Sequence, residues 1–190
     1  MERTFETVLV EQCAPTLAGA KPGNLFRCGG RDPEQVLKKV DEWDRRFRPL
    51  GLRAVVLRVC SRTGDCLVYV YRSGWVGKLL AEKEHWAFLK ARGYERTDDV
   101  EGMLAQLSRR LCLEAEYPHE IGIFLGYPLQ DVVGFIENRG RNCTYCGYWK
   151  CYGDPADARR RFARYRACTD AYKRLFEKGT PLIRLVVAAA

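Results

Sequence analysis

The sequence predicts an α/β fold of the α+β kind: a small, mostly antiparallel sheet covered by about five helices. Two β-branched and aromatic runs, 52–60 and 66–72, flank the turn-forming Ser61-Arg62-Thr63-Gly64-Asp65 and read as a hairpin. Apolar residues recur at helical spacing in several other stretches, and most of these begin at a recognisable cap or a first-turn proline. No internal repeat, linker or low-complexity segment interrupts the 190 residues, so one domain is expected over 1–190.

Along the chain, residues 5–31 carry Pro15, Pro22, Gly19 and Gly23 and predict an ordered loop with at most short helical turns. Asp32, Pro33 and Gln35 then supply an N-cap, a first-turn proline and a capping-box partner, and Val36, Val40, Trp43 and Phe47 share one face of a helix over about 33–47. Pro49 and Gly51 end it. Beyond the hairpin, helices are expected over 75–92 and 100–112, the second behind Asp98 or Asp99 with Met103, Leu104, Leu107 and Leu111 on its inner face. The apolar run 120–125 predicts a buried strand, and Pro128 opens a helix carrying Leu129, Val132, Val133 and Ile136. A last strand over 147–152 precedes a long helix from Asp154-Pro155 to about Lys178.

Composition narrows the function classes. With 47% hydrophobic residues the chain can bury a core without disulfides or metal. The longest apolar run, 121–129, is broken by Gly122 and Gly126 and is far short of the ~20 residues of a membrane helix. Residues 1–10 lack the long apolar stretch of a secretory leader, so a cytoplasmic protein with no membrane partner is expected. Nine cysteines cannot all pair, which points to free thiols used for packing, metal binding or catalysis. The net charge of +8 is concentrated near the end, where residues 139–178 hold eleven Lys or Arg against four Asp or Glu. GxGxxG after a strand, GxxxxGK[ST] and HExxH are all missing, which removes the usual warrant for dinucleotide, nucleoside-triphosphate and metalloprotease chemistry.

Three constellations could carry chemistry. Cys13 lies ahead of the Pro/Gly-shaped loop, and His119 and Glu120 start the expected strand; a thiol, an imidazole and a carboxylate are the parts of an activated nucleophile. His85, the other histidine, sits in a charged helical pattern, so His119 is the candidate base. The simpler reading, and the favoured one, is that Cys13 is a small buried hydrophobe and that His119 caps or orients the strand. Second, Cys143 and Cys146 form a CxxC with Cys151 beyond four intervening residues and Cys168 on the next helix, a set that counts to four ligands for zinc or an iron–sulfur cluster but lacks the second CxxC pair of a strong metal signature. Third, Arg159, Arg160, Arg161, Arg164 and Arg166 follow Arg139 and Arg141 and form a basic stretch suited to an anionic partner. Nucleic acid is disfavoured, because no helix-turn-helix, zinc-finger or exposed aromatic signature accompanies the charge.

Residues 15–22 (PTLAGAKP) with Leu25 and Phe26, residues 119–129 (HEIGIFLGYPL) with Asp131, Val132, Gly134, Phe135 and Ile136, and residues 146–150 (CGYWK) with Tyr152, Gly153 and Asp154 resemble the signature blocks of the bacterial family called domain of unknown function 3793. The resemblance spans nearly the whole chain and implies a source among anaerobic bacteria, with no activity to carry over. It implies that Cys146 belongs to the family pattern while Cys143 and Cys151 do not, which weakens the metal reading. The two most distinctive blocks, around 15–22 and 119–128, are loop or strand-end segments of the kind that build sites on α/β scaffolds.

The expected site is therefore a thiol/imidazole pocket where the 13–26 loop meets the strand at His119. Cys13 would be nucleophile or ligand, His119 the base and Glu120 the orienter or acid. Lys21 and Tyr127 would contact a small-molecule substrate, and Gly122 and Gly126 would admit a ligand or backbone. The residues leave an enzyme and a binding protein both open. The alternative is a non-enzymatic binding or regulatory protein, using its basic final helix for an anionic partner or its cysteines for zinc or iron.

Overall fold

The computed structural model describes residues 4–29, 32–114 and 116–188. It is an α+β fold, with eight α-helices, a three-stranded antiparallel sheet and a two-stranded one among the described residues. The expected hairpin is present as β2 (Leu52–Val59) and β3 (Cys66–Arg72). Its partner on the other side is not the 120–125 segment but β1 (Gly23–Cys28), giving the order β1-β3-β2 with every pair antiparallel.

The expectation of a loop over 5–31 is corrected. Thr4 caps a helix, α1 (Phe5–Leu17), by accepting from the Thr7 amide at 3.2 Å, and β1 follows. Pro15 sits in the last turn of α1, where Ala18 N–H already closes on Ala14 C=O at 2.9 Å. Arg72, only 1% exposed, finishes that helix end: its guanidinium donates to the carbonyls of Thr16 (2.8 Å), Leu17 (2.9 Å) and Val187 (2.7 Å). A cation at the negative end of a helix is favourable, and here it also ties the segment near residue 187 to α1 and β3.

α2 (Pro33–Phe47) starts as its sequence demands, with Asp32 accepting from Glu34 N–H at 2.9 Å, and Asp44 on its inner side accepts from Arg48, Arg53 and the Ala54 amide to fasten the helix to β2. The expected 75–92 helix is two, α3 (Ser73–Ala81) and α4 (Lys83–Ala91), parted at Glu82, whose backbone leaves the helical region. α5 (Val100–Leu113) is capped by Asp99. The 120–125 strand is also corrected: Ile121–Phe124 is a short helix, α6, and α7 (Leu129–Glu137) follows the Pro128 turn. The 147–152 strand is a tight hairpin of two-residue strands, β4 (Tyr145–Cys146) and β5 (Lys150–Cys151), and α8 (Pro155–Glu177) closes the series behind its Asp154 cap.

β3 is buried on both faces, so its residues serve two cores. Cys66, Val68 and Val70 face α1 and α2 with Leu9, Cys13, Leu17 and Phe47, whereas Tyr69 and Tyr71 face α3, α5 and α6 with Val76, Leu107 and Phe124. A third cluster, Trp149, Cys151, Ala158, Phe162 and Tyr165, glues the β4–β5 hairpin to α8. No described helix is long and apolar enough to cross a membrane.

Candidate functional site

The segment after α5 is shaped by Pro118. Its carbonyl accepts from Ile121 N–H at 3.1 Å and that of His119 accepts from Gly122 N–H at 3.2 Å, so 118–122 forms a helical turn and consecutive side chains diverge. His119 points outward, exposed, its ring between Tyr117 (5.6 Å) and Phe135 (4.7 Å). Glu120 points inward, 5% exposed, and accepts from the Tyr94 hydroxyl at 3.1 Å with Arg110 at 3.6 Å. Glu120 is therefore taken up by Tyr94 and Arg110 and does not orient His119.

Gly126 has φ +72°, and a β-carbon there would collide with the ring of Pro22. This contact brings the early segment against the 119–127 segment. It seats Lys21, 3% exposed, with its ammonium 5.2 Å from the Tyr127 ring centre and 6.0 Å from that of Tyr165. Among the described residues its Nζ has no hydrogen-bonded acceptor. Burial pulls the Lys21 amine down to about 8, opposed by the neighbouring Cys13. Cys13 itself has no exposed surface, lies in the α1/α2 core, and is pushed far above the ordinary thiol range by burial. The structure thus brings Pro22 and Lys21 to the His119 segment but leaves Cys13 inside the core, beside an amine rather than an imidazole. The glycines serve packing as well: a β-carbon on Gly122 would stand 2.8 Å from Val132 Cγ2 and 3.1 Å from Tyr127 Cδ2.

A cleft of about 330 Å³ opens between α6, α7 and the β4–β5 hairpin, with His119, Gly122, Tyr127, Phe135, Cys146 and Trp149 in its walls. Tyr127 stacks on Trp149 at 4.6 Å and 24°. Burial pushes the Tyr127 phenol up to about 12, so it is a hydroxyl donor at neutral pH. The far wall hangs on Asp131, a residue of the second family block to which the sequence assigned no role. Its buried carboxylate accepts from Trp149 Nε1 (2.7 Å) and from the amides of Tyr152 (2.7 Å) and Gly153 (3.0 Å). Besides that block, its place in the first turn of α7 marked it, a position usually explained by the helix dipole. Lys150 reaches the Gly140 carbonyl at 2.7 Å and closes the hairpin base.

The four candidate metal ligands are not assembled. Cys146 is opposite Lys150 and Cys151 opposite Tyr145, so the hairpin sends the two thiols to different faces. Cys151 is buried with its sulfur toward the Asp154 carbonyl at 3.7 Å, Cys143 is half-buried, and Cys168 lies on α8. Among the described residues no three His, Cys, Asp or Glu side chains are grouped to hold a metal ion. Cys146 alone of the four is exposed, and it belongs to the cleft.

No curated protein and no solved structure matches the chain. The family described as "Protein of unknown function (DUF3793)" matches residues 9–186, a span that takes in α1, the sheet, the cleft and α8, and the chain belongs to it.

Proposed function

We propose that the protein binds a small, flat organic molecule in the cleft, with His119 and Cys146 as the groups that act on it. The reading keeps a thiol and an imidazole in one pocket but takes the thiol from Cys146 rather than Cys13. The observation that supports it is that both side chains line the same cleft and, among the described residues, neither has a hydrogen-bonded partner. Aromatic walls with a few unengaged polar groups are the usual make-up of a ligand site, and a volume near 300 Å³ suits one or two rings. Lys150 beside the cleft and Lys21 beneath Tyr127 favour a ligand carrying negative charge. The chemistry open to the pair is attack by the Cys146 sulfur with His119 as proton acceptor, or binding alone.

The test is titration with one- and two-ring aromatic carboxylates (benzoate, nicotinate, indole-3-acetate), followed by calorimetry and by the rate of iodoacetamide alkylation at Cys146. Saturable binding, slower Cys146 alkylation, and about tenfold weaker binding in His119→Ala and in Tyr148→Ala, a further residue of the cleft wall, are expected. Failure of every probe to protect Cys146 removes the reading.

A second reading, contact with an acidic partner, is supported by α8, where Arg159, Arg160, Arg161, Arg164 and Arg166 are all exposed.

A further inference from the structure

The positive charge of α8 is largely uncompensated. Arg159, Arg160, Arg161, Arg164 and Arg166 are exposed, and among the described residues only Arg160 of these five pairs with a carboxylate, that of Asp157. Phe162 and Tyr165 are buried on the inner side of the helix, so the unpaired guanidiniums flank an aromatic stripe.

The β4–β5 hairpin lies over that stripe. Tyr148 in its turn is 40% exposed, and its ring stands 5.4 Å from Phe162 and, edge-on, 5.5 Å from Tyr165. Tyr145 of the same hairpin stacks on Phe162 at 5.8 Å and carries the Arg159 guanidinium 5.2 Å from its ring centre. Burial raises the Tyr165 phenol and the charges of Arg161 and Arg164 oppose the rise, so these two guanidiniums lie near the ring that Tyr148 touches. Tyr148 is also part of the cleft wall, with Tyr127 and Trp149. It is therefore the boundary shared by an aromatic cleft and a row of arginines.

One kind of partner satisfies both surfaces at once. A single-stranded nucleic acid has unpaired bases that stack on aromatic side chains, and a backbone phosphate at every step for arginine to meet. A duplex keeps its bases in its own stack, and an acidic protein segment meets the arginines but brings no ring for every charge. The cleft, about 330 Å³, has room for one base.

We propose that Tyr148 and the arginine face of α8 bind single-stranded nucleic acid, with one base seated in the cleft against Tyr148 and the neighbouring phosphates on Arg159, Arg161 and Arg164. In the sequence no exposed aromatic accompanies this charge; the hairpin supplies one. The seat of the base rests on the reading of the cleft as a site for a flat ligand. Every base has a ring face, so binding tolerates any sequence. Each phosphate contact to a single strand contributes a slope of about −0.7 in log affinity against log salt, and three give about −2.

The experiment measures fluorescence anisotropy of a labelled oligothymidylate of about twelve residues with the full chain, beside an abasic strand carrying the same phosphates. The oligothymidylate is expected to bind about tenfold more tightly than the abasic strand, with a salt slope near −2, and to slow iodoacetamide alkylation of Cys146. Tyr148→Ala should erase the preference for the strand with bases and Tyr148→Phe should keep it. Arg161→Ala/Arg164→Ala should flatten the slope by about 1.4 for both strands. Equal affinity for the two strands, or tighter binding of an oligoglutamate of the same charge, overturns the proposal and leaves only contact with an acidic partner. A bound oligothymidylate that leaves the Cys146 rate unchanged overturns it by putting the base outside the cleft. No binding of the oligothymidylate while benzoate still protects Cys146 overturns it and leaves the cleft as a small-molecule site. The Tyr148→Phe and arginine variants decide the matter even if Tyr148→Ala loosens the hairpin.

Discussion

Lys21 is a buried ammonium held by ring faces instead of a carboxylate. Two tyrosine rings within 6.0 Å recover part of its lost hydration, since a desolvated cation–π contact contributes about 2 kcal/mol or more. The remainder appears as the fall of its pKa from 10.5 to about 8. In the window from pH 8 to 10.5 the unfolded chain binds a proton that the folded chain has given up, so stability rises with pH there and the burial cost is fully present below 8. The full cost is on the order of 3 kcal/mol. Cys13, Tyr127 and Tyr165 face the same amine and are all raised, so each lowers stability as pH climbs past its ordinary value, 9.0 for the thiol and 10.0 for the phenols, and offsets the trend within the upper part of the same window. Comparison with Lys21→Met isolates it: urea unfolding should show the variant more stable than wild type at pH 7, with the advantage shrinking toward pH 10. A variant less stable at every pH would mean that the ring contacts outweigh the burial.

At the scale of elements, the cleft exists because one carboxylate clasps the β4–β5 hairpin to α7. Asp131→Asn keeps the shape but turns an amide NH₂ toward either the Trp149 indole N–H or the two backbone amides, leaving a buried donor without acceptor. Each such orphan costs about 1–3 kcal/mol, so a loss of that size in urea unfolding, with a red shift of Trp149 emission as the hairpin loosens, is expected.

The hairpin β2–β3, α2, α5, α7 and α8 were legible because each carries its own punctuation: Asp32, Asp99 and Asp154 cap, Pro33, Pro128 and Pro155 open, and the 61–65 turn reverses the chain. α1 was not, because burial of Cys13, Ala14, Pro15, Thr16 and Leu17 in succession erases the helical period that marks a one-sided helix. The run 121–125 failed for a related reason: a few apolar residues, buried all round, fit a strand and a helical turn alike. In the site, His119 and Tyr127 were legible as residue types at a conspicuous turn. Cys13 and Glu120 were misjudged because only tertiary packing decides that the first is sealed in a core and the second engaged by Tyr94 and Arg110.

Over the whole molecule, charge is as unevenly placed as the sequence implies. α8 packs its Ala158, Phe162 and Tyr165 side inward and leaves its arginines in water, with Arg160 paired to Asp157 and Arg159 stacked over Tyr145. Exposed charge of one sign attracts polyanions through a screened, salt-sensitive field. Retention on heparin at low salt is expected, with elution at clearly lower salt for the Arg161→Glu/Arg164→Glu double variant. Passage straight through the column would remove the acidic-partner reading.

The central place of β3 also sets a calendar for folding. Its pairing with β2 closes across a few residues, whereas its pairing with β1 must wait until α2 and the whole of β2 have been gathered in. The sheet is therefore born in two stages: the β2–β3 hairpin comes first, and β1 reaches β3 only when the amino-terminal segment docks. Until then Cys66, Val68 and Val70 have no core to enter, so the hairpin stands with one apolar face in water, and in that interval the chain is most open to pairing with a copy of itself.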